Sequence, residues 1–237
     1  MRGVAIVTGG GRRLGREISL MLAQEGYDIA LHFNASKEAA EQTQERIISI
    51  GRGCLIIQGD LSNTSFYEKL IHTAYEKLGP LSLLINNASI FEKISFKETT
   101  DVLFNKNMDV HVRAPFFLSQ YFSKLSLQGA IVNLLDSRVS RYQTGHFAYA
   151  LTKKTLLSLT LLLAKELAPR IRVNGICPGP ILPPVNTGED NLKRIAKKTP
   201  MQRPGKVSDI LAAVKYLCQS TYVNGEILYV DGGERLI

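Results

Sequence analysis

Asp136, Tyr149 and Lys153 are the residues whose types and spacing could do chemistry together. Tyr149 and Lys153 stand four apart in the first turns of an apolar helical pattern from Phe147 to Leu167, so both project from one helix face. Asp136 follows an apolar run, Ala130 to Leu135, that reads as a buried strand, so its carboxyl sits at the strand's carboxyl end. An ammonium beside a phenol favours the phenolate and lowers the phenol's pKa, making a poor acid usable near neutral pH. A carboxyl joins such proton transfer if burial or a neighbouring acid raises its own pKa. A Tyr and a Lys at helical spacing also arise from plain surface packing, so the elements around them decide.

The first such element is a strand, a glycine turn and a helix. Val4 to Thr8 reads as a short buried strand, Gly9-Gly-Gly-Arg-Arg-Leu-Gly15 as the turn, and Leu20, Met21 and Leu22 belong to the amphipathic helix after it. Glycines there let backbone approach a pyrophosphate, and a helix amino terminus offers free N–H groups and a positive dipole end. The second strand, Tyr27 to Phe33, leads to Asn34, Ala35 and Ser36, where a site for unphosphorylated ribose would carry an Asp or Glu. Arg12 and Arg13 in the turn, with Asn34 and Ser36 opposite, suit a 2′-phosphate instead. The expected cofactor is therefore NADP(H).

Composition frames this reading. The chain has 237 residues, 45% of them hydrophobic, enough for one sizeable core, and α/β chains of this length are routinely one domain. No apolar run stands out as a membrane span, and Met1-Arg-Gly runs straight into the first strand, so a cytoplasmic protein is expected. Cys54, Cys177 and Cys218 are few and set among apolar residues, which reads as reduced core cysteines and no metal site. A net charge of +8 fits anionic small molecules as well as nucleic acid.

Further along, a helix from about 38 to 50 precedes strand Cys54 to Gln58, and Asp60 after it either meets an adenine amino group or caps the next helix. Leu83-Leu-Ile-Asn86-Asn87-Ala88-Ser89 ends a strand in adjacent amides that must be satisfied by backbone or ribose. Residues 98 to 126 carry one long helical pattern. Within it His111 is either a satisfied core group or the holder of a water near the site. Strand Arg172 to Cys177 gives way to Pro178-Gly-Pro-Ile181 and a polar segment from about 182 to 203, whose length suggests a lid. Lys193, Arg194, Lys197 and Lys198 interleave with Leu192, Ile195 and Ala196 as the solvated face of a short helix; without stacking aromatics they do not indicate nucleic acid. A helix from 207 to 217 and strand Glu226 to Asp231 close a doubly wound parallel sheet of α/β class, 1–237 being a single domain.

Taken in order, Thr8-Gly9 to Gly15, Asp60, Asn86-Asn87-Ala88, Tyr149-x-x-x-Lys153, Pro178-Gly179 and Asp231-Gly-Gly resemble the short-chain dehydrogenase/reductases over essentially the whole chain. The resemblance implies a Rossmann-type fold in which a Tyr supplies a proton, while the Lys holds the nicotinamide ribose and lowers the Tyr pKa. It implies cofactor contacts from Gly9, Arg12, Arg13, Leu14 and Gly15, from His32, Asn34 and Ser36, and from Asp60 and Leu61. Asn87, Ala88, Ser89, Lys153, Pro178, Gly179 and Ile181 complete that surface. It also implies a homotetramer packed through the helices at 98–126 and 147–168.

Three departures narrow the branch. Thirteen residues before Tyr149 the family usually has Ser, and this chain has Asp136; Arg13 replaces the third turn glycine; and Asn87-Ala-Ser89-Ile-Phe91 replaces Asn-Asn-Ala-Gly. All three resemble the pteridine reductases and the dihydromonapterin or dihydrofolate reductases. Those relatives imply Asp136 as second acid and substrate anchor, Arg13 on cofactor phosphate and pterin, Phe91 as stacking face and Ser89 on pterin or phosphate. Reducing a pterin C=N needs hydride to carbon and a proton to nitrogen, and the ring's N–H donors suit a carboxylate. His111 stands where the family usually has an Asn that holds a relay water. The rival expectations are a 3-oxoacyl or other ketone reductase of the same fold, and an NADPH-binding regulator without turnover.

Overall fold

The computed structural model describes residues 2–142, 144–184 and 187–237. Gln143, inside the stretch from Asp136 to Lys153, and Val185 and Asn186, inside the expected lid, lie outside the described residues.

Seven parallel strands form one sheet: β1 (Val4–Val7), β2 (Asp28–Phe33), β3 (Cys54–Gln58), β4 (Leu81–Asn86), β5 (Gly129–Leu134), β6 (Ile171–Pro178) and β7 (Ile227–Val230). Their order is β3-β2-β1-β4-β5-β6-β7, so the chain reverses direction of growth between β1 and β4. In open parallel sheets ligands bind outside the carboxyl ends of the strands at such a switch point. The helices are α1 (Arg13–Gln24), α2 (Lys37–Ser49), α3 (Phe66–Leu78), α4 (Asp101–Met108), α5 (Ala114–Leu125), α6 (Phe147–Leu167), α7 (Glu189–Ala196) and α8 (Val207–Gln219).

The strands are apolar runs because both faces are covered. Ala5 and Val7 face a core shared with Ile18 and Leu22 of α1, Ile47 of α2 and Ile210 of α8. Val4 and Ile6 point the other way, into Leu70 and Ile71 of α3 and Leu118 and Phe122 of α5. β5 repeats the alternation, with Ala130, Val132 and Leu134 on the first side and Ile131 on the second. Each such Leu, Ile or Val contributes about 1.5–3 kcal/mol by leaving water, which fixes strand register and hence where the strand ends emerge.

Two expectations change here. The single helix over 98–126 is α4 and α5 joined by a π-helical turn, Asp109–Arg113. Pro115 has no N–H to give to the carbonyl of residue 111, four back, and the helix widens just ahead of it. The other concerns membrane-length segments: α6, at 21 residues, is long and apolar enough to qualify by length and composition. It is a core helix in this fold, burying Tyr149, Lys153, Leu156, Leu159 and Thr160 beneath the sheet's second face and packing on β6.

Candidate active site

The ends of β1, β4, β5 and β6 meet at the switch point. From β1 the chain enters the glycine turn, where Gly9 takes φ +63° and a Cβ on Gly15 would fall on the Gly9 carbonyl and 2.6 Å from Asn87 Nδ2. α1 then begins at Arg13 with no side chain capping its amino end and no acid in its first turn. Open N–H groups over a glycine cradle are the setting a pyrophosphate needs. Arg12 is exposed beside it, and Asn34 and Ser36 follow at the end of β2. These residues fit a phosphorylated dinucleotide.

Other expected contacts have protein partners. His32 is 2% exposed. Its Nδ1 accepts from the Gly9 N–H at 3.2 Å and Nε2 lies 3.0 Å from the Gly59 carbonyl, so Nε2 carries the proton. Burial holds its pKa near 4. His32 thus braces the glycine turn from beneath instead of facing a cofactor. Leu61 is likewise buried, its carbonyl accepting from Tyr67 Oη. Asp60 closes a local turn by accepting from the Ser62 N–H at 2.9 Å, and it does not cap the next helix, whose N-cap is Ser65. Asn87 Nδ2 donates to the Thr8 and Gly9 carbonyls, tying β4 to the turn, while Asn86 Nδ2 donates to Asn133 Oδ1. Arg13, at φ +51°, donates from Nη2 to the Pro183 carbonyl and so bridges the turn to the start of the 182–203 segment. Gly179 fits against Asp231 backbone, and Pro180 and Ile181 line a separate cavity of about 330 Å³ with Met201, Arg203 and Asp209. In α7 and just after it, Leu192 and Ala196 are buried and Lys193, Arg194, Lys197 and Lys198 exposed, as the pattern implied.

Asp136, Tyr149 and Lys153 do come together. Two residues beyond β5, Asp136 caps a 3₁₀ turn, Ser137–Ser140, and its Oδ2 accepts from Tyr149 Oη at 2.7 Å. Arg138, which the sequence pattern did not single out, clamps the same carboxylate. Its backbone N and Nε donate to Oδ1 and its Nη2 to Oδ2, each at 2.8 Å. Lys153 Nζ donates to the Leu134 carbonyl at 2.7 Å, and burial brings its pKa down to about 8. Asp136, Arg138, Tyr149 and Lys153 enclose only about 10 Å³ between them, room for a single water.

Two electrostatic expectations are corrected. Burial pushes the Asp136 carboxyl up, but the hydrogen bonds and charge of Arg138 outweigh it, and the pKa falls below the ordinary value. Asp136 is therefore a carboxylate, an acceptor and not a second acid. Tyr149 is buried beside that negative charge, so its pKa lies well above 10, not below. Burial and Asp136 outweigh Lys153, whose Nζ bonds the Leu134 carbonyl, and neither is visible from spacing alone.

His111 fills the π turn and spans the site. The Ile90 N–H donates to its Nε2 at 3.2 Å and Ser89 Oγ lies 2.9 Å from the same nitrogen. Nδ1–H then donates to Thr152 Oγ1 at 3.0 Å, and that hydroxyl to the Tyr149 carbonyl at 2.9 Å. Burial, then Lys153, hold His111 neutral, with its pKa well below 6.5. This is the satisfied-core reading of His111 with a structural role added, because the ring ties the loop carrying Ser89 and Phe91 to the helix carrying Tyr149. Phe91 stacks on His146 at 4.2 Å and stands edge-to-face with Tyr149 at 4.8 Å.

The comparisons with known proteins bear on this arrangement. A family profile described as enoyl-(acyl carrier protein) reductase matches residues 10–234. The chain belongs to the short-chain dehydrogenase/reductase family. That makes it an oxidoreductase by family. Among solved members, FolM alternative dihydrofolate reductase 1 from Brucella canis, complexed with NADP, shares 33% identity at TM-score 0.94, covering 98% of this chain and 94% of that one. A blue fluorescent protein from a metagenomic library, in complex with NADPH, also shares 33% at TM-score 0.92, over 98% and 97%. The 3-oxoacyl-[acyl-carrier-protein] reductase FabG of Staphylococcus epidermidis is 31% identical over 97% of each chain.

Proposed function

We propose that the chain is an NADPH-dependent reductase of pterins, acting on dihydropterin, dihydromonapterin or dihydrofolate-type substrates. The observation that carries this reading is the assembly of Phe91, Tyr149 and Asp136, with an aromatic ring edge-on to a phenol that is held by a carboxylate. Phe91 offers a flat apolar neighbour for a heterocycle. Tyr149 holds its proton up to high pH and is the group placed to deliver it to a ring nitrogen. Likeness to the Brucella canis FolM protein supports the substrate class.

The cofactor is NADP(H), which when bound supplies the hydride. Gly9, Gly15 and the open end of α1 would hold its pyrophosphate, and Arg12 with Ser36 the 2′-phosphate. Lys153, after its bond to Leu134, keeps two N–H donors for a ribose hydroxyl. The protein works in the cytoplasm as a homotetramer. Apolar side chains left exposed on α4, α5 and α6, among them Val102, Phe116, Leu161 and Leu162, support that packing.

A second reading, reduction of 3-oxoacyl or other ketone substrates, is favoured by the likeness to FabG over 97% of the chain. NADPH oxidation with dihydrobiopterin or dihydromonapterin separates the two. Turnover by the wild type, with rate lost in both Tyr149→Phe and Asp136→Ser, supports the pterin reading. A wild type inert on every pterin yet active on acetoacetyl thioesters, with Asp136→Ser little changed, replaces it by the ketone reading. Tight NADPH binding without turnover of any acceptor would leave a regulator.

A further inference from the structure

The Asp136 carboxylate has about four lone-pair sites, and four donors already fill them. Three come from Arg138 and one from Tyr149. Every partner is a donor, so Asp136 gives nothing to a substrate. A Ser at this position would offer a hydroxyl proton to the reacting heteroatom beside Tyr149, and an ionised Asp cannot.

We propose that Arg138 supplies that missing hydrogen-bond donor to the reacting nitrogen or oxygen of the substrate, with Asp136 as the carboxylate that holds the guanidinium in place. Three contacts support this. Arg138 Nη2 and Tyr149 Oη converge on the same oxygen, Asp136 Oδ2, so the guanidinium lies beside the proton-donating hydroxyl. The guanidinium carbon is 5.1 Å from the Phe91 ring centroid and 5.9 Å from that of Tyr149, between the proposed stacking face and the phenol. Finally, Nε and one N–H of Nη2 are committed to Asp136, which leaves Nη1 and the second Nη2 hydrogen free of Asp136 in a side chain that is 24% exposed.

This deepens the reductase reading and rests on it. A bound reduced nicotinamide would supply hydride to the carbon of C=N or C=O; the π pair would collect on the heteroatom, and Tyr149 would give it a proton. Arg138 transfers nothing; it stabilises the heteroatom while charge develops there. Losing one preorganised donor of this kind typically costs about 10²–10³ in kcat.

The test uses Arg138→Met, Asp136→Ser and two double variants, R138M/D136S and R138M/D136A. Each is assayed for kcat and KM on the acceptor the wild type reduces best, for NADPH affinity by fluorescence and for thermal unfolding. We expect R138M to lose about 10²–10³ in kcat with NADPH affinity held, and R138M/D136S to recover part of it through the serine hydroxyl. R138M/D136A, which also removes the stranded carboxylate, should not recover. Wild-type kcat in R138M overturns the proposal, as does equal recovery in both double variants, which would make Arg138 a mere counter-ion. A wild type inert on all pterins and ketones is a different result: it removes the reductase reading, and this inference with it.

Discussion

His111 Nδ1 lies 3.0 Å from Thr152 Oγ1, and this contact joins the π turn between α4 and α5 to α6 one turn from Tyr149. The other ring nitrogen holds the Ile90 N–H and Ser89 Oγ, two residues or fewer from Phe91. In His111→Ala these groups lose their partner, so stability should fall by about 1–3 kcal/mol per stranded donor, read as a lower urea midpoint. Because Phe91 would be less well placed against Tyr149, KM for the acceptor should rise more than kcat falls. A variant with wild-type KM would separate the strut from substrate positioning.

Tyr149→Phe removes the proton donor while keeping the ring that packs on Phe91 and His111. The expected loss is about 10²–10⁴ in kcat, the usual contribution of a positioned acid. NADPH affinity, measured by fluorescence titration, should stay close to wild type.

Two buried histidines make stability depend on pH. His32, held near 4, and His111, held well below 6.5, are neutral in the folded protein but bind protons in the unfolded chain below about 6.5. Between those values the unfolded state carries more protons, so stability rises with pH and is lost as pH falls from 6.5 towards 4. Replacing His32 with Gln should flatten this slope by on the order of 3 kcal/mol across the window. Urea midpoints at pH 7 and pH 4.5 give the comparison, and an unchanged slope would mean His32 is not held neutral.

A Cβ at residue 15 would collide with the Gly9 carbonyl and Asn87 Nδ2, groups that shape the phosphate turn. Gly15→Ala should therefore weaken NADPH binding by more than about tenfold, since backbone has to move before a pyrophosphate can be cradled. Equal affinity in the variant would place the pyrophosphate elsewhere.

Much of this was legible in the sequence because the fold is written in short apolar runs separated by glycine and proline. Cys54 to Gln58 and the 207 helix start fall where their patterns put them, and the strand expected over Val4 to Thr8 ends one residue early, at Val7. The break at Asp109 was not legible, since Pro115 acts through a carbonyl four residues back and the apolar periodicity continues across it. Arg138 was missed because an Arg two residues after an Asp at a strand exit looks like a solvated loop. Only the extended backbone at Asp136, φ −154°, lets the side chain at 138 fold back onto the carboxylate. An acid followed two residues later by Arg, just before a turn, was the available signal. Tyr149 and Lys153 are legible from spacing, yet their pKa directions depend on burial and, for Tyr149, on the Asp136 carboxylate beside it, which spacing does not show.

The most direct measurement is the ratio of kcat/KM for NADPH-dependent reduction of dihydrobiopterin to that for an acetoacetyl thioester, on one preparation of the wild-type protein. A site built around a flat ring on Phe91 and a nitrogen beside Tyr149 should favour the pterin by about 10²-fold or more. A ratio reversed in favour of the thioester contradicts the pterin assignment and leaves a ketone reductase in its place.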